Sequence, residues 1–131
     1  MLTIDTNILA RYFLQDDSVQ ARAAEALLTE KCTEDSPAFV PTIVLIETVW
    51  VLRKVFTKPQ LLQILDLLVH TKEFLLEQAD VVRKAIETFQ QETMGFADCL
   101  IAAVAARHNA LPVFTFDKKA ARSDIFQLLS V

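Results

Sequence analysis

The feature that most constrains this 131-residue chain is its alternation of short apolar runs with longer stretches of helical period, the pattern of a parallel sheet whose strands are joined by helices. Leu2 to Ile4 forms the first apolar run and ends at Asp5-Thr6-Asn7, three good helix-capping residues, before a helical Ile8 to Leu14. Asp17-Ser18 opens an amphipathic helix from Val19 to Lys31, and Ala38 to Val40 reads as a strand closed by Pro41. Ile43 to Phe56 is apolar around most of its circumference and predicts a buried helix. Pro59, tolerated in a first turn, introduces a helix over Gln60 to His70 with Gln60, Gln63, Asp66 and His70 on its wet face. Phe74 to Leu76 is a short strand, and a helix from Val81 to about Thr93 is expected to stop at Gly95. Phe96 to Arg107 is a second apolar helix. Leu111 to Phe116 is the clearest strand, followed by a short basic helix near Lys118 to Arg122 and a last strand near Phe126 to Leu129. The expectation is one domain over residues 1–131, an α/β fold with a central parallel sheet between two helical layers.

Composition removes several classes of function. A single glycine, Gly95, excludes the dinucleotide fingerprint and the P-loop, which need several backbone positions without a Cβ beside a phosphate. Cys32 and Cys99 share no metal-binding spacing, and His70 and His108 stand singly, so neither a zinc site nor a disulfide framework is expected. No run approaches the roughly 20 uncharged residues of a membrane helix, and the start has no basic segment of a signal peptide, which points to a cytoplasmic protein. A net charge of −4 argues against gripping nucleic acid by bulk electrostatics, though not against a small acidic site.

Most of the 17 acids lie among polar residues and read as solvated. Four do not. Asp5 and Asp117 each follow directly on an apolar run, at the carboxyl end of a strand, where parallel sheets build their ligand crevice. Glu47 and Asp98 lie in the two most apolar helices. The helical neighbours of Glu47 are Ile43, Val44, Trp50 and Val51, and those of Asp98 are Met94, Gly95, Ile101 and Ala102. A carboxylate in such company is protonated, paired or holding a cation. No Lys or Arg stands three or four residues from either acid, so a metal is the better partner. Oxygen ligands without histidine or thiolate select Mg²⁺ or Mn²⁺, ions that share their shell with phosphate oxygens and serve phosphate-ester hydrolysis. Taken singly, Asp5 also reads as an N-cap, Asp98 as a first-turn acid and Asp117 as a turn residue; Glu47 has no such role.

The start Leu2-Thr3-Ile4-Asp5-Thr6-Asn7-Ile8-Leu9, the helical Glu47, the run Ala97-Asp98-Cys99-Leu100-Ile101-Ala102-Ala103 and the strand end Phe114-Thr115-Phe116-Asp117 together resemble the PIN domain. In order, spacing and length the chain looks like the free-standing VapC-type toxins of bacterial toxin–antitoxin pairs. The resemblance implies a Mg²⁺- or Mn²⁺-dependent endoribonuclease, with the acidic quartet falling on Asp5, Glu47, Asp98 and Asp117, and with Asn7 and Thr115 supporting the ligands or the bound water. It also implies RNA as substrate, a homodimer, and a cognate antitoxin protein that covers the groove. Arg11, Lys118, Lys119 and Arg122 are the basic residues nearest in sequence to the quartet and the candidates for contacting RNA. Two other readings stand beside this one: a Mg²⁺-dependent phosphatase or phosphotransfer domain, and a non-catalytic module whose acids receive a partner's arginines.

Overall fold

The computed structural model describes all 131 residues, and the chain divides into two compact units, Met1–Ala79 and Asp80–Val131. In the first unit, β1 (Leu2–Thr3), β2 (Ala38–Val40) and β3 (Phe74–Leu76) form a three-stranded parallel sheet in that order, with Leu2 beside Ala38 and Ala38 beside Phe74. Two helices connect each successive pair: α1 (Thr6–Leu14) and α2 (Ser18–Lys31), then α3 (Thr42–Leu52) and α4 (Lys58–His70). Its core gathers Ile4, Leu9, Val40, Leu45, Leu52, Leu65 and Leu68, all essentially inaccessible to solvent.

Local chemistry sets most of these boundaries. Asp5 caps α1 by accepting from the Ile8 amide, and Asp17 caps α2 by accepting from the amides of Val19 and Gln20. Thr57 and Gln60 form a reciprocal capping box at the start of α4, beside Pro59. Pro41, at the head of α3, has no side-chain cap to offer. The Glu77 carboxylate supplies it instead, accepting from the Thr42 amide at 2.8 Å, where the helix dipole favours an anion.

In the second unit, α5 (Ala79–Gln91, its first residue the last of the first unit) and α6 (Phe96–Arg107) precede β4 (Val113–Thr115), a single 3-10 turn (Ala120–Arg122) and β5 (Phe126–Leu128). β4 and β5 pair in parallel, with Val113 beside Phe126. Val82, Ala85, Cys99 and Leu100 are buried, and Phe89 and Phe96 meet edge to face with ring centroids 5.7 Å apart.

The α/β class and the parallel pairing are as the sequence predicts, but the hydrogen-bonded strands form two ladders rather than one continuous sheet. Three further expectations are corrected. The helix predicted to Phe56 ends at Leu52, because the capping box at Thr57 starts a new helix and the chain needs the intervening turn. That helix is not buried all round: Ile43, Glu47 and Trp50 form an exposed stripe along it. Gly95 does not stop α5 in a left-handed conformation. It is the N-cap of α6, at φ −68° and ψ 163°, and it contributes no side-chain hydrogen bond there.

Candidate active site

The four sequence-predicted acids fall two in each unit. In the first, Asp5 stands at the end of β1 and caps α1 through a 3.2 Å hydrogen bond from the Ile8 amide. Thr6, the first residue of α1, donates its hydroxyl to Glu47 Oε1 at 3.2 Å. Packing of α3 on α1 therefore seats the Glu47 carboxylate beside the residue that follows Asp5, at the positive end of a helix dipole. The apolar surroundings that the sequence predicts for Glu47 are not found, since its carboxylate lies on the exposed stripe of α3. Sequence reasoning passed over Thr6 as a partner of Glu47. Its only signal was a hydroxyl beside Asp5.

Asp5 and Asn7 open onto a groove of about 580 Å³ between α1 and α2, lined also by Ile8, Arg11, Gln20 and Leu27. Arg11 borders this groove, but its guanidinium is already committed: it makes a forked pair with Asp16 at 2.8 and 2.7 Å and bonds Gln20 Oε1 at 2.9 Å. The Arg11 guanidinium, by its hydrogen bonds to Asp16, also holds the Asp16 carboxyl below the usual range.

In the second unit, Asp98 lies in the first turn of α6 and Asp117 just beyond β4. Asp98 is half-buried, and burial together with the nearby negative charge of Asp117 pushes its carboxyl above the usual carboxylate range. The turn carrying Asp117 is organised by Thr115, whose hydroxyl accepts from the Asp117 amide at 3.0 Å, while Asp117 Oδ1 accepts from the Lys119 amide at 2.9 Å. Lys118, Lys119 and Arg122 are exposed.

Within neither unit are three or more His, Cys, Asp or Glu side chains gathered so as to hold a metal ion. The donor set nevertheless suits a hard divalent cation. It is all oxygen, the buried thiols of Cys32 and Cys99 and the exposed His70 and His108 stand outside it, and the repulsion between Asp98 and Asp117 is of the kind a cation relieves.

Parallel strands, connecting helices and acids at strand ends define an α/β protein with carboxylates where parallel sheets build their ligand crevice. The sequence profile of the PIN domain matches residues 2–125, and the chain belongs to that family. PIN domains are in general nucleases that act on RNA and use divalent metals. No curated protein matches the chain. None of its helices is long and apolar enough to cross a membrane.

Proposed function

We propose that this PIN domain is a Mg²⁺- or Mn²⁺-dependent endoribonuclease, one domain over residues 1–131, with Asp5, Glu47, Asp98 and Asp117 as the ligands of the ion. The observation that carries the reading is the match of the PIN family over residues 2–125, and Asp98 supports it: half-buried, with the negative charge of Asp117 nearby, its carboxyl lies above the usual carboxylate range. A divalent ion bound by the quartet would neutralise phosphoryl oxygens and make water a stronger nucleophile at neutral pH. The chain's own residues do the positioning. Thr6 holds Glu47, the Ile8 amide holds Asp5, and Thr115 shapes the turn that carries Asp117. In this reading the exposed Asn7 beside Asp5 orients a ligand or a water, and the exposed Lys118, Lys119 and Arg122 meet RNA phosphates.

The finer biological reading is a VapC-type toxin, cytoplasmic and homodimeric, held inactive by an antitoxin protein. The exposed Phe114, Phe116 and Leu129 at the end of the chain support the need for a protein partner, because clustered apolar residues in water mark interaction surfaces. Incubating a structured cellular RNA pool with antitoxin-free protein, in Mg²⁺, Mn²⁺ or EDTA and beside Asp98→Asn, tests the enzyme. Discrete metal-dependent fragments absent with Asp98→Asn are the expected result. Metal binding with no RNA cleavage would favour a phosphatase or phosphotransfer domain, and no metal binding would favour a partner-binding module.

A further inference from the structure

Trp50 is the only tryptophan of the chain, and it stands 60% exposed in the last turn of α3. An indole is expensive to leave in water, and this one is not loose. The Arg53 guanidinium lies over the ring at 3.5 Å from its centroid, a cation–π contact that holds the side chain in place and covers one of its faces. Arg53, the C-cap residue of α3, is anchored by its amide to Val49 and stands three residues beyond Trp50, the spacing at which side chains on a helical turn meet. Arg53 covers one face of the ring, and the residue as a whole remains largely open to solvent.

The position of Trp50 ties it to the acids. It lies three residues beyond Glu47 on the same exposed stripe, one helical turn away, and Glu47 is the acid that Thr6 seats beside Asp5. Lys54, in the turn that follows α3, is exposed. An aromatic ring stacked with a guanidinium and one turn from a candidate site carboxylate matches the way proteins hold single-stranded nucleic acid: bases stack on rings or guanidinium planes while basic side chains meet the backbone phosphates.

We infer that Trp50, held by Arg53, is the stacking surface for an unpaired base of the RNA that this chain cleaves. The inference rests on the ribonuclease reading and adds to it a specificity-determining residue outside the acidic quartet. The charges around Trp50 favour RNA over a second copy of the chain, because the centres of homodimer interfaces are depleted of charge. The uncharged Phe114, Phe116 and Leu129 suit a second copy better.

Because Trp50 is the sole tryptophan, its emission reports on this surface alone. The experiment titrates the protein, in Ca²⁺ and with Asp98→Asn so that cleavage does not intervene, with an unstructured oligoribonucleotide carrying a terminal dye. Dye anisotropy reads binding, and indole emission reads stacking. Quenching that saturates together with anisotropy is expected, with Trp50→Ala weakening binding about 5- to 100-fold, Trp50→Phe restoring most of it, and a base-paired oligonucleotide quenching far less. Circular dichroism and melting of Trp50→Ala should match the parent, since the side chain is exposed. Full binding with unchanged emission and unchanged affinity of Trp50→Ala would overturn the stacking role while leaving the nuclease reading in place. No binding of any RNA would overturn both. A blue-shift that follows protein concentration without RNA, and is accompanied by dissociation of a dimer in Trp50→Ala, would assign the surface to a second copy instead.

Discussion

Asp5 and Glu47, in the first unit, each accept a hydrogen bond from a neighbouring donor, whereas Asp98, in the second, is half-buried with its carboxyl pushed upward by burial and by the charge of Asp117. The same contrast runs through the scaffolds. β2 is buried at both ends, while Phe114 in β4 is 57% exposed and Phe116, just past it, is 67% exposed. Caps follow suit, with side chains closing α1, α2 and α4 in the first unit and a bare glycine heading α6 in the second. An acid that also caps a helix is stabilised with or without a ligand. Asp98 has no such donor and has a like charge nearby.

The sharpest way to break this contrast is to neutralise one acid from each unit. Asp5→Asn and Asp98→Asn are each expected to lower metal-dependent cleavage by about 100-fold or more, since several kcal/mol of charge stabilisation is lost with a ligand. Their stabilities should differ. Asn caps as well as Asp, so Asp5→Asn should melt like the parent, whereas metal-free Asp98→Asn should melt slightly higher because the repulsion with Asp117 is relieved. Retained cleavage in either variant would remove that residue from the proposed ligands.

Next in size is the contrast between covered and uncovered aromatics. Phe96→Ala is expected to cost about 3–5 kcal/mol in urea unfolding, since its ring is buried edge-on to Phe89, while Phe114→Ala should stay within about 0.5 kcal/mol. A large loss for Phe114→Ala would show that its face is covered in solution. The caps come third. Thr57→Ala should cost about 1 kcal/mol by opening the capping box, and Gly95→Ser should gain about 0.5 kcal/mol, because a Cβ there meets nothing within 4 Å and the hydroxyl supplies the missing cap.

The smallest effect is one of pH. In the second unit, the Arg107 guanidinium beside Asp80 holds its carboxyl below the ordinary value of 3.8, so the folded protein binds that proton more weakly than the unfolded chain. The contribution is complete above the ordinary value and is lost as the pH falls through the lowered one. Both side chains are exposed, so Arg107→Gln should flatten the acid limb of the stability curve only slightly. Urea midpoints measured across the acid range would register this, and an unchanged limb would mean that the pair does not persist in solution.

Local signals were the legible ones. Ala38–Val40, Phe74–Leu76 and Phe96–Arg107 occur with the boundaries their apolar patterns predict, and Asp5 and Asp17 cap the helices they precede. The α3 stripe was illegible for a physical reason: an all-apolar helix has no polar face to declare which side meets solvent, so Ile43 and Trp50 looked as buried as Val44 and Leu45. Gly95 was equally ambiguous, because a glycine between two helices can end one or begin the next.

Period, capping chemistry and the unusual company of four acids are encoded within a few residues of one another, and by themselves they determined the α/β class, most element boundaries and the candidate quartet. Only the tertiary structure decided that Glu47 meets Thr6, that Arg11 is held by Asp16 and Gln20, and that Trp50 stands in water under Arg53. The physical reason is that a helix face is buried or free according to what packs against it, and a charge is available or committed according to which side chain reaches it.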